Sequence, residues 1–214
     1  MNDKVLTEIS IDRFEQDLFS IDMYSLSDSI PYLKKKYPEF RKQREKNKGY
    51  SSPELDKEQY EWCVERLQIP AYKIKDTIEK LMYKLPLHLI KKARYPGVQD
   101  FFECLRKNKI RIAIYSDYPV DEKLVALDLM ADKTFCSTQM DIGQFKPTNK
   151  TLLKICDIFR CDIKNTVYIG DREDTDGESA RMAGMEFLKV QVKQARKGVF
   201  YSNLINQFID EEEN

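Results

Sequence analysis

The sequence predicts an α/β protein in which a doubly wound parallel sheet carries an inserted α-helical cap. From residue 95 onward, short β-rich apolar runs alternate with amphipathic helical stretches at the spacing of βαβ units. Residues 18–94 instead show helical periodicity, with many charges and few glycines. We therefore expect a core built from residues 1–17 and 95–214, and a helical cap formed by residues 18–94.

The elements of the core follow in order along the chain. The alternating run Lys4–Ile11 predicts the first strand, and the turn residues at 95–97 mark the return from the helical segment. Beyond them the pattern predicts helices at 98–105, 121–129, 149–159 and 179–183, and strands at 110–115, 134–137, 166–169 and 185–190. A short helix is expected from Tyr201. Parallel strands joined by crossover helices on both faces form a doubly wound sheet.

Composition excludes several classes of function. Lys plus Arg and Asp plus Glu both number 36, so the formal net charge is zero and neither nucleic acid nor an anionic membrane is an expected partner. The five cysteines are scattered and never spaced as CxxC, which indicates reduced thiols rather than disulfides or zinc ligands. The sequence shows neither a signal peptide nor a long apolar run. We expect a cytoplasmic protein.

Polar residues that suit phosphate and metal chemistry stand in three of the predicted loops between strands and helices. Ser116 ends the strand in IAIYSDYP, where a hydroxyl and adjacent backbone amides make a donor set for phosphate oxygens. Lys146 precedes a proline and a new helix, and a lysine there could neutralise a carboxylate and a phosphoryl group. Each residue alone also has an ordinary explanation, as a turn serine or a solvated lysine.

Three acids follow the strand that begins at Thr166, namely Asp171, Asp174 and Asp176. Carboxylates so close together repel one another unless a cation or hydrogen-bond donors offset their charge. Their hard oxygens suit Mg²⁺, although an acidic solvated turn at a helix start is the alternative. The basic tract PEFRKQREKNK in the helical segment is interpreted as a solvated helix face, and the aromatic residues around it as packing.

The joint pattern resembles the second, third and fourth motifs of the haloacid dehalogenase (HAD) superfamily, in particular a phosphatase-type branch. The resemblance is carried by SDYPVDEKL, by the lysine-proline pair and by GDREDTDGESARMAGM, and it covers roughly residues 95–190. It implies a Rossmann-like core whose inserted helical cap closes over a small phosphorylated substrate. It also implies that Ser116 and Asp117 bind phosphate, that Lys146 neutralises charge beside it, and that Asp171 and Asp176 hold Mg²⁺ directly or through water.

The first motif departs from the family pattern. Phosphatases of the family carry a nucleophilic Asp and a second Asp two residues later as general acid and base. The segment EISIDRFEQDLF offers Asp12 as the nucleophile and as a metal ligand, but Phe14 stands at the acid position. Glu15 or Asp17 could supply the missing carboxyl group if the loop is one residue longer.

Three interpretations of this departure remain open at the sequence level. The first is a Mg²⁺-dependent phosphatase that forms an aspartyl-phosphate on Asp12. The second is a catalytically weakened relative that binds a phosphate ligand or a protein partner in the same cleft. The third is a chain whose true first strand lies upstream or comes from another polypeptide.

Overall fold

The computed structural model describes the backbone of residues 5–7 and 31–210 and the side chains of residues 38–207. These residues contain a parallel sheet of five strands in the spatial order β3-β2-β1-β4-β5. The strands are β1 (Val5–Thr7), β2 (Arg111–Ser116), β3 (Lys133–Cys136), β4 (Thr166–Gly170) and β5 (Glu186–Lys189). Strands β2 and β4 lie on opposite sides of β1, so the chain builds the sheet outward in both directions from β1. Open α/β sheets bind ligands in the crevice at the carboxyl ends of the strands at such a point.

The helical segment between β1 and the rest of the core has its own hydrophobic cluster. Its helices are α1 (Pro31–Lys46), α2 (Leu55–Glu61), α3 (Val64–Leu67) and α4 (Ala71–Ile78), and α4 continues into a π-helical turn at Glu79–Lys84. The rings of Phe40 and Tyr60 stack with their centroids 5.3 Å apart, among the buried side chains of Cys63, Ile74 and Met82. The predicted packing role is confirmed for these two aromatic residues.

Helices cover both faces of the sheet. They are α5 (Leu87–Ala93), α6 (Val98–Lys107), α7 (Asp121–Ala126), α8 (Lys150–Phe159), α9 (Glu178–Ala183), α10 (Val192–Arg196) and α11 (Val199–Asp210), with a 3-10 turn at Ile163–Asn165. Successive residues of β2 point to opposite faces, so Ile112 and Ile114 pack in one cluster and Ala113 and Tyr115 in the other. The predicted doubly wound α/β fold with a helical insertion is confirmed.

Helix α5 lies next to the predicted boundary between the helical segment and the core, and it packs on the core. Ile90 of α5 is 1% exposed and lies in the sheet-side cluster with Val98 and Leu124, away from the cluster that contains Phe40. The division at residue 94 stays a prediction, and this packing favours a boundary before α5.

Some element ends differ from the prediction. Helix α7 ends at Ala126 instead of 129, because Asp128 adopts a left-handed φ of 54° and the Leu129 amide turns back to the Leu124 carbonyl at 3.0 Å. Helix α10 is not predicted by the sequence pattern, and α11 is longer than expected. No helix among the described residues has the length and apolarity needed to cross a membrane.

Candidate functional site

A cleft of about 350 Å³ lies at the carboxyl edge of the sheet, between the core and helix α1. Three chain segments form its core side: Asp117 and Tyr118 after β2, Phe145 and Lys146 before α8, and residues 171–175 after β4. Its other side consists of Arg41, Arg44, Glu45 and Lys48, from the helical segment of residues 31–84, which we call the cap. The fold therefore brings together, around one cleft, polar residues that are far apart in the sequence.

Lys146 and Asp176 form a buried ion pair beside this cleft. The Lys146 Nζ lies 2.9 Å from Asp176 Oδ1, and both side chains are 3% exposed. The Tyr168 hydroxyl lies 3.4 Å from the same oxygen, and the Arg172 backbone N–H donates to Asp176 Oδ2 at 3.0 Å. Donors thus surround both carboxylate oxygens, as burial of a charge requires, and the two side chains have fixed orientations.

The close approach of Asp176 to the end of β4 depends on Gly170. A Cβ atom at this position would lie 2.6 Å from Asp176 Oδ2 and 2.8 Å from its Cγ. The acid-bearing segment is also more ordered than the predicted loop, because Glu173–Gly177 form a single π-helical turn that leads directly into α9. This turn places Asp176 inside the protein while Asp174 stays at the surface.

Ser116 and Asp117 follow β2 at the same edge of the sheet. The Ser116 hydroxyl is buried and accepts a hydrogen bond from the Tyr118 backbone N–H at 3.1 Å. The Oδ1 atom of the Asp117 carboxylate accepts hydrogen bonds from the Ser137 hydroxyl and from the Lys146 backbone N–H. A phosphate role for Asp117 would therefore use its backbone amide, and its side chain ties the loop after β2 to the loop that carries Lys146.

Two of the three predicted Mg²⁺ ligands, Asp171 and Asp176, lie within the residues that the structure describes. Asp171 lines the cleft, whereas Asp176 is occupied by Lys146 and the Arg172 amide. Within the described residues, no group of three His, Cys, Asp or Glu side chains is arranged to hold a metal ion. Asp12, the third predicted ligand and the predicted nucleophile, lies outside the described residues, as do Phe14, Glu15 and Asp17. Carboxylate oxygens suit Mg²⁺, and the assignment of Asp171 and Asp176 as its ligands stays a prediction.

Asp174 contacts cations of the protein itself. Arg172 donates from Nη2 to Asp174 Oδ2 at 2.9 Å, and the Lys48 ammonium contacts the same oxygen. The hydrogen bonds from Arg172 hold the pKa of Asp174 below its ordinary value, against the opposing effect of burial, and Lys48 adds to them. These contacts give the extra acid of this loop a partner on each side of the cleft.

Arg44 is the cleft residue for which the sequence prediction is wrong. The sequence pattern predicts a solvated face for the basic tract, yet Arg44 is only 6% exposed. Its guanidinium lies between two rings, with Cζ 4.0 Å from the Tyr118 centroid and 4.1 Å from the Phe145 centroid. Arg41 and Lys48 of the same tract also line the cleft. These three cations form the wall that faces the core, while Lys42 and Lys46 of the same tract are exposed, as the prediction has it.

One hydrogen bond of the Arg44 guanidinium joins the cap to the core, and a second lies within the cap. Nη2 donates to the Asp117 carbonyl oxygen and Nη1 to Gln59 Oε1, each at 2.5 Å. The only sequence signal for this role is a run of cations in a helix, which surface helices share.

The fold resembles those of several solved enzymes. β-Phosphoglucomutase from Clostridium difficile superposes with a TM-score of 0.60 at 14% identity, over 99% of this chain and 96% of that one. CbbY from Rhodobacter sphaeroides, in complex with xylulose-1,5-bisphosphate, gives 0.55 at 14% identity, over 87% and 85% of the two chains. A 2-haloacid dehalogenase from Pseudomonas syringae pv. Tomato DC3000 gives 0.53 at 16%, over 90% and 88%. At these identities the likeness shows a shared fold.

Sequence comparison gives the family. No curated protein matches the chain. The family model described as haloacid dehalogenase-like hydrolase matches residues 32–190, which is most of the chain and includes the loops with Ser116, Lys146 and Asp171. The fold, the cleft at the strand ends and this match agree. The chain therefore belongs to the haloacid dehalogenase-like hydrolase family.

Proposed function

We propose that this chain is a Mg²⁺-dependent phosphatase of a small phosphorylated metabolite, with Asp12 as nucleophile. The observation that carries the proposal is the buried ion pair between Lys146 and Asp176, which lies beside a cleft bordered by the loops after β2 and β4. A cleft of about 350 Å³ is at the small end of the range of roughly 300–1,000 Å³ that ligand pockets occupy. The bound xylulose-1,5-bisphosphate of the CbbY structure supports a phosphorylated ligand for this fold.

The proposed reaction has two displacements at phosphorus. A carboxylate oxygen of Asp12 attacks the phosphorus atom, the bond to the substrate alcohol breaks, and the departing oxygen takes a proton from water. A second water molecule then attacks the phosphorus of the aspartyl-phosphate and loses a proton to the hydroxide left by the first step, the bond between phosphorus and the Asp12 oxygen breaks, and the Asp12 carboxylate and inorganic phosphate are released. Strand β1 lies between β2 and β4, so a nucleophile that follows β1 fits the edge of the sheet where the other residues meet.

The remaining residues act on charge and position. We assign Ser116 and the Asp117 amide as donors to the phosphoryl oxygens and Lys146 as the cation that offsets their charge. Asp176 orients the Lys146 ammonium through the contact at 2.9 Å. Asp12, Asp171 and Asp176 would hold Mg²⁺ directly or through water, and the bound ion would supply further neutralisation of the phosphoryl charge.

Phosphate release from an aryl phosphate, with and without Mg²⁺, tests the function. We expect release that depends on Mg²⁺ and is abolished in both Asp12→Asn and Asp171→Asn, because one variant lacks the nucleophile and the other a metal ligand. Asp141→Asn is the matched control, since Asp141 is an exposed acid paired with Lys154 outside the cleft. Release that persists in Asp12→Asn would rule out the proposed nucleophile.

Phe14 provides a second arm of the test. A proton donor at the leaving oxygen is typically worth about 100- to 10,000-fold in rate. If the Phe14 position is the acid position of the family, Phe14→Asp should raise turnover by a large part of this factor. If neither the unmodified protein nor Phe14→Asp releases phosphate although both fold, the result would favour the alternative. In that case the chain is a weakened or incomplete relative that binds a phosphate ligand or a protein partner. The cytoplasmic location stays a prediction.

A further inference from the structure

Four charged side chains connect helix α1 and the chain just after it to the acid-bearing turn of the core. Arg172 contacts Glu45 through two hydrogen bonds, Nη1 to Oε1 at 2.7 Å and Nη2 to Oε2 at 3.1 Å. Lys48 pairs with Glu45 at 2.8 Å and also contacts Asp174. Arg172 and Asp174 complete the ring of contacts. We name these four residues, Glu45, Lys48, Arg172 and Asp174, the Arg172 cluster.

The backbone of Arg172 anchors the turn that carries Asp176. Its carbonyl oxygen accepts hydrogen bonds from the amides of Asp176 at 2.7 Å and Gly177 at 3.2 Å. Its own amide donates to the Asp176 carboxylate. One residue therefore holds the buried acid through its main chain and the cap through its side chain.

We propose that Arg172 is a positioning residue that, through the Arg172 cluster, couples the docked helical cap to the placement of Asp176 and hence of Lys146. For its effect on turnover the inference rests on the proposed function. In this proposal Asp174 orients the Arg172 guanidinium from the core, and Glu45 orients it from the cap.

The geometry of the cluster distinguishes it from scattered surface ion pairs. Arg172 meets Glu45 with its planar fork on both carboxylate oxygens, the arrangement in which an arginine is best oriented. Each acid contacts both cations, so the loss of one member weakens the contacts of the others. The four side chains are between 33% and 55% exposed, which makes the cluster sensitive to salt.

Amide hydrogen exchange at residues 172–177 tests the coupling without reference to activity. In Glu45→Gln and in Arg172→Gln we expect exchange of the Asp176 and Gly177 amides to be faster by about fivefold, the scale of an exposed ion-pair contribution. Asp141→Asn serves as the control, because it removes an ion pair with Lys154 on the core surface. Raising the salt concentration should accelerate the same amides in the unmodified protein.

Kinetics separate positioning from simple stabilisation. If the cluster positions Asp176 and Lys146, kcat of Glu45→Gln falls by a similar factor while KM changes by less than about twofold, and the variant adds little to Arg172→Gln in a double mutant. Glu45 is exposed, so this variant folds even if Arg172→Gln does not. Unchanged exchange in Glu45→Gln overturns the coupling, and faster exchange with unchanged kcat overturns the positioning role. If the unmodified protein turns over no phosphate ester, the proposed function fails and the exchange measurement alone decides the coupling.

Discussion

At the scale of single residues, the burial of the charges on Lys146 and Asp176 costs electrostatic free energy. Two charges that are each 3% exposed have lost most of their hydration, and the contact of 2.9 Å between them offsets that loss. An apolar pair of similar size would fill the same space without the cost of removing two charges from water. The presence of charge where packing does not need it supports a chemical role for the pair.

We predict that Lys146→Met destabilises the protein by about 3–5 kcal/mol, because it leaves the Asp176 carboxylate buried without its cation. Adding Asp176→Leu to that variant should recover a substantial part of the lost free energy of unfolding, since both charges are then gone. Phosphate release should stay absent in the double variant. Urea unfolding measures the first two effects and the release assay the third. If the double variant is no more stable than Lys146→Met, the ion pair does not explain the cost.

At the scale of elements, the sequence pattern predicts the strands well. The run expected at 110–115 is found at Arg111–Ser116, and the run expected at 166–169 at Thr166–Gly170. These runs are apolar because their strands are covered on both faces, and turn residues mark their ends. The positions of Ser116 and Asp171 at strand ends follow directly. Helix α10 has only five residues, too few for a periodic pattern to stand out.

The cap side of the site could not be predicted in this way. The burial of Arg44 depends on Tyr118 and Phe145, which lie far along the chain and reach it only in the folded molecule. The same applies to Arg172 and Glu45, which are 127 positions apart. Periodicity within one helix describes that helix alone, so a cation facing a partner and a cation facing water look identical in the sequence.

We predict that Arg44→Met destabilises the protein by about 2 kcal/mol, because the Asp117 carbonyl and Gln59 lose a charged donor in a buried place. Phosphate release should fall as well, since Asp117 follows the proposed phosphate ligand Ser116. Lys42→Met, at an exposed position of the same helix, is the matched control and should be close to neutral. Equal unfolding midpoints for the two variants would show that Arg44 does not join the cap to the core.

At the scale of the whole molecule, the described apolar side chains form three clusters. Two cover the faces of the sheet, and the third lies within the cap. The cap cluster is the smallest of the three. Polar contacts carry much of its connection to the core, through Arg44, the Arg172 cluster and backbone hydrogen bonds between residues 49–52 and 143–146. Two ring contacts, Tyr83 with Tyr118 and Trp62 with Phe145, add to them. Elements with fewer buried apolar contacts open at a lower free-energy cost. The cap should therefore unfold before the core.

The free cysteines report on this order of unfolding. Cys63 lies in the cap cluster and Cys156 in a sheet cluster, and burial raises the pKa of these thiols to about 12 and about 11 respectively. Both thiols are therefore protonated and shielded in the folded protein at neutral pH, and their pKa returns toward about 8.5 on unfolding. Pulsed alkylation across a urea series, with peptide mass spectrometry, follows each thiol separately.

We predict that Cys63 becomes reactive at a lower urea concentration than Cys156. Cys104 and Cys161, which are partly exposed, should react without urea and provide the reference for full labelling. The difference between the two midpoints should widen in Arg44→Met, because that substitution weakens the cap while leaving the sheet clusters intact. If Cys63 and Cys156 become reactive together in both proteins, the cap and core unfold as one unit, and contacts other than those of Arg44 join them.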